Sequence, residues 1–228
     1  MARSKQLIAR GAIAALMFGA AAISLSVQAS AAPKKVANVT HSGTLTALNG
    51  TGATGTLSMQ LSGERYLTVQ IDATGLEAGI QHLGHIHGLA SPGDVQNSVC
   101  PTIARDVDQD NYVELAEGLP TYGPIIIAFG NVDPNMDGIV HFSHTYDLND
   151  PNIYEPGFSK SDVVPLDLRE VVLHGLTLQA GQGATNADSI APNEADGTAG
   201  EKAVLPVTCG DIQKASRNPM QFVAPHHH

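Results

Sequence analysis

The sequence predicts an all-β protein, a sandwich or barrel with long loops, and three observations carry that expectation. Apolar and β-branched residues nearly alternate in short runs, turn chemistry separates the runs, and no segment holds a period of 3.6 over helical length. Successive side chains of such a run point to opposite faces, so every second residue can line a core.

Ahead of the first strand, Arg3, Lys5 and Arg10 precede the apolar run AIAALMFGAAAISLSV, and Ala29-Ser30-Ala31 follows it. Basic start, short apolar stretch and small residues in that order read as a secretory signal peptide over 1–31. The protein is then exported, periplasmic or extracellular, with no membrane span after signal removal. Residues 32–42 read as an N-terminal linker, 43–212 as one β-domain, and 213–228 as a flexible C-terminal tail. The tail ends in His226, His227 and His228, read as tail or as the remnant of an expression tag.

Within 43–212 the first strands are marked by Leu45 and Ala47, by Leu57, Met59 and Leu61, and by Leu67, Val69 and Ile71. The turn-rich segments NGTGAT and SGE separate them, as in an antiparallel meander. Further strands are expected at 82–87, 124–130, 138–146, 169–175 and 203–209. Between them 88–123, 147–168 and 178–202 read as long loops, the last rich in Gly, Ala and Asn. In a small β-domain such loops are where function concentrates.

Acidic residues number 22 against 12 basic ones, a net charge of −10. The predicted signal peptide holds three of those basic residues and no acidic one, so the remainder is more acidic still. That balance argues against nucleic acid and anionic membranes and suits cations. Cys100 and Cys209 are the two cysteines. In an exported protein a lone pair reads as a disulfide, worth about 4 kcal/mol in the chain-entropy model for so long a loop. No P-loop, dinucleotide fingerprint, H-E-x-x-H or nucleophile elbow is present. The absence of Trp leaves little for stacking sugars or bases.

The stretch QHLGHIHG, residues 81–88, holds three of the ten histidines. On a strand His85 and His87 share a face while Ile86 points the other way. Two adjacent imidazoles suit copper or zinc, although an H-x-H pair alone is a weak signal. The longer stretch GLEAGIQHLGHIHG resembles the copper-zinc superoxide dismutases, where the pattern is G-L-x-x-G-x-H-G-F-H-V-H; His82, His85 and His87 keep its spacing. The similarity continues in order through GNVDPNMDGIV, through REVVLHG with Arg169 five residues before His174, and through LPVTCGDI, so it spans 43–212.

That resemblance implies a Greek-key β-barrel with long loops and copper on one wall. His85, His87 and His174 would be both the copper ligands and the catalytic residues, with His82 supporting loop backbone. It implies no zinc: from Cys100 to Phe129 there is no histidine, and the family's zinc aspartate falls on Ala128. Its substrate-guiding arginine falls on Pro206. The loop ending at Lys202 carries Asp188, Glu194, Asp196 and Glu201, a poor field for attracting superoxide. Weak dismutation by an oxidoreductase is one expectation. The other is a non-catalytic structural or interaction module like the chordin-type CHRD domains, or a copper carrier of the same fold.

In place of the zinc residues stands DVDQDNYVELAE, 106–117. Asp106, Asp108 and Asp110 occupy positions one, three and five of a calcium loop, Tyr112 offers its backbone carbonyl at seven, Glu114 is at nine and Glu117 at twelve. Val113 is the apolar residue at eight, and Asn111 stands where Gly is usual. Neighbouring prolines and Gly118 leave no room for full flanking helices, so the expectation is an isolated calcium loop that rigidifies the segment. Asp133, Asn135, Asp137 and Gly138 start a similar pattern but read as a turn. His141 and His144, three apart on a strand, face opposite sides and read as ordinary surface or half-buried histidines. Arg169 reads equally as a link to a carboxylate or loop carbonyl and as an exposed strand end. No protein partner is legible.

Overall fold

A computed structural model describes residues 38–91, 94–183 and 195–215. The signal-type segment, Asp188, Glu194 and His226 to His228 lie outside those residues. In chain order the strands are β1 (Val39–Ala47), β2 (Thr54–Ser62), β3 (Tyr66–Thr74), β4 (Leu83–His87), β5 (Ala90–Ser91), β6 (Asp94–Val95), β7 (Ile125–Asn131), β8 (Val140–Asp147), β9 (Glu170–Leu178), β10 (Gly200–Asp211) and β11 (Gln213–Lys214). Two short helices, α1 (Leu115–Tyr122) and α2 (Lys160–Val163), lie between them. Among the described residues no helix is long and apolar enough to cross a membrane.

The main sheet is antiparallel in the order β7-β4-β9-β10-β1-β2-β3-β8, with β11 beside β1, and it curls into a half-barrel. The fold class is therefore all-β. The first seven residues of β1 pair with β2, and its last two, Thr46 and Ala47, pair with Cys209 and Thr208 of β10. One strand thus carries the meander round to the wall formed by β9 and β4.

The alternating pattern accounts for the inner face. Leu57, Met59 and Leu61 of β2 lie opposite Ile71, Val69 and Leu67 of β3, all buried, while the residues between them are mostly exposed or half-buried. Ile86, Ile127, Val171, Leu173 and Val207 join the same core. Full burial of each such side chain contributes roughly 1.5–3 kcal/mol.

The outer face of β9 is buried as well. Val172 packs with Leu48, Tyr122 and Cys209, and with Cys100 and Leu115 at the margin. The Cys100–Cys209 disulfide, Cα–Cα 5.7 Å, pins the 88–123 segment over this face.

Three expectations need correction. Residues 88–123 are not all loop, because α1 occupies Leu115–Tyr122, with an entering 3-10 turn at Ile103–Arg105. Its two turns were hidden by Gly118 and Pro120, both poor helix formers. Gly118 is needed there, since a Cβ would sit 2.4 Å from the Tyr122 ring. The 147–168 segment holds α2 and two 3-10 turns. Strand pairing also extends into the stretches read as linker and tail: β1 begins at Val39, and its His41 and Ser42 pair with β11.

Arg169 is fully buried and takes the carbonyl reading, not the exposed one. Its Nε donates to Asp162 O (2.7 Å), and Nη1 donates to Gln96 O (3.0 Å) and Leu168 O (2.6 Å). These bonds offset the desolvation of the guanidinium and gather two long connections at the foot of β9.

Candidate metal centre

Strand β4 directs Ile86 into the core, so His85 and His87 project from the outer face, as the period of two requires. In the antiparallel register with β9, His85 lies opposite Val172 and Leu83 opposite His174, which places His174 on that same face. The three rings form one cluster. Centroids are 5.5 Å apart for His85 and His87, 4.8 Å for His85 and His174, and 5.6 Å for His87 and His174.

Backbone carbonyls set the tautomers. His87 Nδ1 donates to Gly123 O (2.9 Å) and His174 Nδ1 to Val204 O (2.7 Å), leaving a lone pair on Nε2 of each neutral ring. His85 Nδ1, His87 Nε2 and His174 Nε2 are buried without a hydrogen-bond partner. One ring nitrogen from each histidine lies within 4.8 Å of the other two. Buried nitrogens without partners are costly, and a shared cation satisfies all three at once. Burial, then the neighbouring His174 and His87, brings His85 down to about 2. Burial and His174 bring His87 to about 3, and burial brings His174 to about 4. All three rings are therefore neutral near pH 7, the state that binds a metal. Neutral imidazoles suit copper or zinc.

His82 is fully buried beneath this cluster, with Nδ1 3.1 Å from His174 O and Nε2 2.8 Å from Glu77 O. It ties the loop before β4 to the backbone of a cluster residue. Tyr122, at the end of α1, covers His87 with ring centroids 4.6 Å apart.

A second cluster lies at the other end of α1. Asp106 accepts from Asp110 N (3.1 Å) and Asn111 N (2.9 Å), Asp108 from Asp110 N (3.2 Å), and Asp110 from Tyr112 N (2.8 Å). Asn111 takes φ +75°, the left-handed conformation its place in the loop requires. Glu117 accepts from Val107 N and Glu114 N. Ligand-type oxygens of Asp106, Asp108 and Glu117 converge, as do those of Asp108, Asp110 and Glu114. Glu114 is 1 % exposed and its Oε2 has no hydrogen-bond partner. Burial first, then Glu117 and Asp110, pushes this carboxyl well above the usual range. Tyr112 lies in the same loop, its hydroxyl accepting from Gln182 Nε2 (2.8 Å).

Sequence reasoning missed the partners that position these groups: Asn49, Tyr122, Gly123 and Val204. None sits within a motif, and each acts across a long sequence separation. The other singled-out residues stand apart. His141 pairs with Asp72 at the surface (2.8 Å), and His144 lies tilted against Tyr146, ring centroids 4.4 Å apart. Asp133 closes a turn by accepting from Gly138 N (2.8 Å). Lys202 is buried against Asp196 and Thr198. Ala128 lies opposite His85, and Pro206 opposite His174.

No protein-family model matches this chain, and no curated protein matches its sequence. Fold and geometry together define an all-β half-barrel carrying a three-histidine cluster able to hold a metal. Its function is read from its own residues.

Proposed function

We propose that this is an exported copper-binding protein of the superoxide dismutase-like Greek-key class, with His85 Nδ1, His87 Nε2 and His174 Nε2 holding the ion. One observation carries the proposal: each of the three histidines has a buried ring nitrogen without a hydrogen-bond partner, and the three rings each bring a nitrogen within 4.8 Å of the others. The spacing of the histidine motif, the antiparallel half-barrel and a disulfide from the loop after the histidine pair to the last long strand support the class. The signal-type N-terminus and the disulfide support export to the periplasm or beyond the cell.

Bound copper would supply one-electron chemistry, the kind that can oxidise one superoxide to dioxygen and reduce a second to peroxide. The chain's own groups set the conditions. Gly123 O and Val204 O hold two rings in the tautomer that offers Nε2, and Tyr122 keeps water from His87. His85, 8 % exposed, is the most accessible of the three and marks the side of approach. A separate zinc site of the resembled kind is not expected, because Ala128 stands where its aspartate would be and offers no ligand.

A carrier or CHRD-like module is favoured over an efficient enzyme by two features: Pro206 where the resemblance expects an arginine, and the pairing of Lys202 with Asp196. Copper titration of the purified protein lacking residues 226–228 tests the reading. One copper per chain, lost in both His85→Ala and His174→Ala, is expected. No copper in any sample would leave the histidines as scaffold, and tight copper without dismutation would identify a carrier.

A further inference from the structure

We infer that residues 106–117 bind one Ca²⁺ ion and that α1 carries the effect of its occupancy to His87. An acidic loop alone would not justify this. Glu114 Oε2 is buried without a hydrogen-bond partner, and one oxygen each of Asp108, Asp110 and Glu114 lie within 4.8 Å of one another, as do those of Asp106, Asp108 and Glu117. A carboxylate oxygen hidden from water among other carboxylates is stabilised by a proton or a cation, and five such side chains supply the many hard oxygens that Ca²⁺ accepts at flexible distances.

Two connections run from this loop to the histidines. Glu114 is the N-cap of α1 and Glu117 closes its capping box; Gly123 is the C-cap. That C-cap carbonyl is the one that accepts from His87 Nδ1, and Tyr122 beside it covers the His87 ring. The helix is only about 12 Å long, so a shift at one end reaches the other as a rigid step. Gly123 itself packs closely on the Gly88–Leu89 backbone, so close that a Cβ there would lie 2.1 Å from Gly88 O, which limits its room to give.

The second connection is Asn49. Its carboxamide accepts from Val113 N (2.7 Å) and donates to Val113 O (3.2 Å) and Pro206 O (2.9 Å). It clamps the apolar position of the loop to β10 at the residue facing His174. Without a cation, repulsion among the carboxylates works against both connections. Calcium removes it, and linkage makes any gain in copper affinity reciprocal.

The metal arm of the test rests on the copper reading, while the other two arms do not. The protein stripped of metals and lacking residues 226–228 is melted with Ca²⁺ or Mg²⁺, beside Glu117→Gln and Asp108→Asn. Its His87 ring N–H resonance is followed by nitrogen-edited NMR, and copper affinity is measured by chelator competition with and without Ca²⁺. Ca²⁺ in roughly hundred-fold excess over its Kd should raise Tm by about 5 °C in the wild type and far less in either variant. The His87 signal should shift, and copper affinity should rise on the order of five-fold or more. No rise in Tm, or an equal response to Mg²⁺, overturns the calcium site. A rise in Tm with the His87 signal unmoved overturns the transmission. Failure of copper to bind under all conditions would sink the proposed function, while Tm and the His87 signal would still judge this inference.

Discussion

The three imidazoles stand on two hydrogen-bonded strands, whereas the five carboxylates stand on a twelve-residue loop, and a single short helix joins the two groups. Neutral rings carry no net charge, so a strand wall can bring them to 4.8–5.6 Å of one another at little electrostatic cost. Carboxylates do repel. The loop answers by turning backbone N–H groups onto Asp106, Asp108 and Asp110 and leaving them half-exposed, with only Glu114 and Glu117 buried. A ligand set without charge can be built into a sheet, and one with charge is better built where backbone can bend.

The largest way to break this relation is to cut the covalent tie between loop and wall. Cys100→Ser should cost about 4 kcal/mol, read as a lower midpoint in urea, with α1 losing protection from hydrogen exchange before the β2–β3 pair does. Equal loss of protection in both regions would show that the loop and the meander unfold as one unit. Gly123→Ala comes next. Its φ of +76° and the approach to Gly88 O predict a cost of about 3 kcal/mol. Weaker copper binding should accompany it, because the displaced carbonyl is the one holding His87. A variant with wild-type stability would mean the backbone there is far more yielding than its packing indicates.

Asn49→Ala should cost about 1–3 kcal/mol by leaving Val113 N–H and two carbonyls without their partner, and it should affect the loop more than the histidines. Unchanged proteolysis of residues 106–117 in this variant would argue against the clamp. The smallest effect per unit of change is a pH dependence. Glu170, opposite His87 in the β4–β9 register, is raised by burial first, and then by Asp211, from 4.5 to about 8. Between those values the folded chain holds a proton that the unfolded chain releases, so this group's contribution to stability is greatest below 4.5 and falls as pH rises toward about 8. The slope is at most about 1.4 kcal/mol per pH unit. Glu170→Gln should flatten it, and a slope unchanged by the substitution would assign the titration elsewhere. In the wall a buried acid is thus kept neutral by a proton, where the loop would use a metal ion.

Local patterns were legible in the sequence and distant partners were not. Leu57 to Leu61 and Leu67 to Ile71 announce strands because a period of two is visible within five residues. The same period places His85 and His87 on one face, and the carboxylates of 106–117 are recognisable because one short loop supplies them all. His174 could be added only through the resemblance, since it lies 87 positions beyond His87. Helix α1 escaped notice because it is stabilised by what Tyr122 and Leu115 cover, not by its own propensity. Asn49, Gly123 and Val204 carry no signature, since a carbonyl or an amide becomes specific only through what the fold brings to it.

Asn49 has one further consequence. Its carboxamide occupies both the N–H and the C=O of Val113, the backbone groups through which an extended residue would pair with a neighbouring strand. The loop therefore presents no free edge at that residue to a second copy of itself.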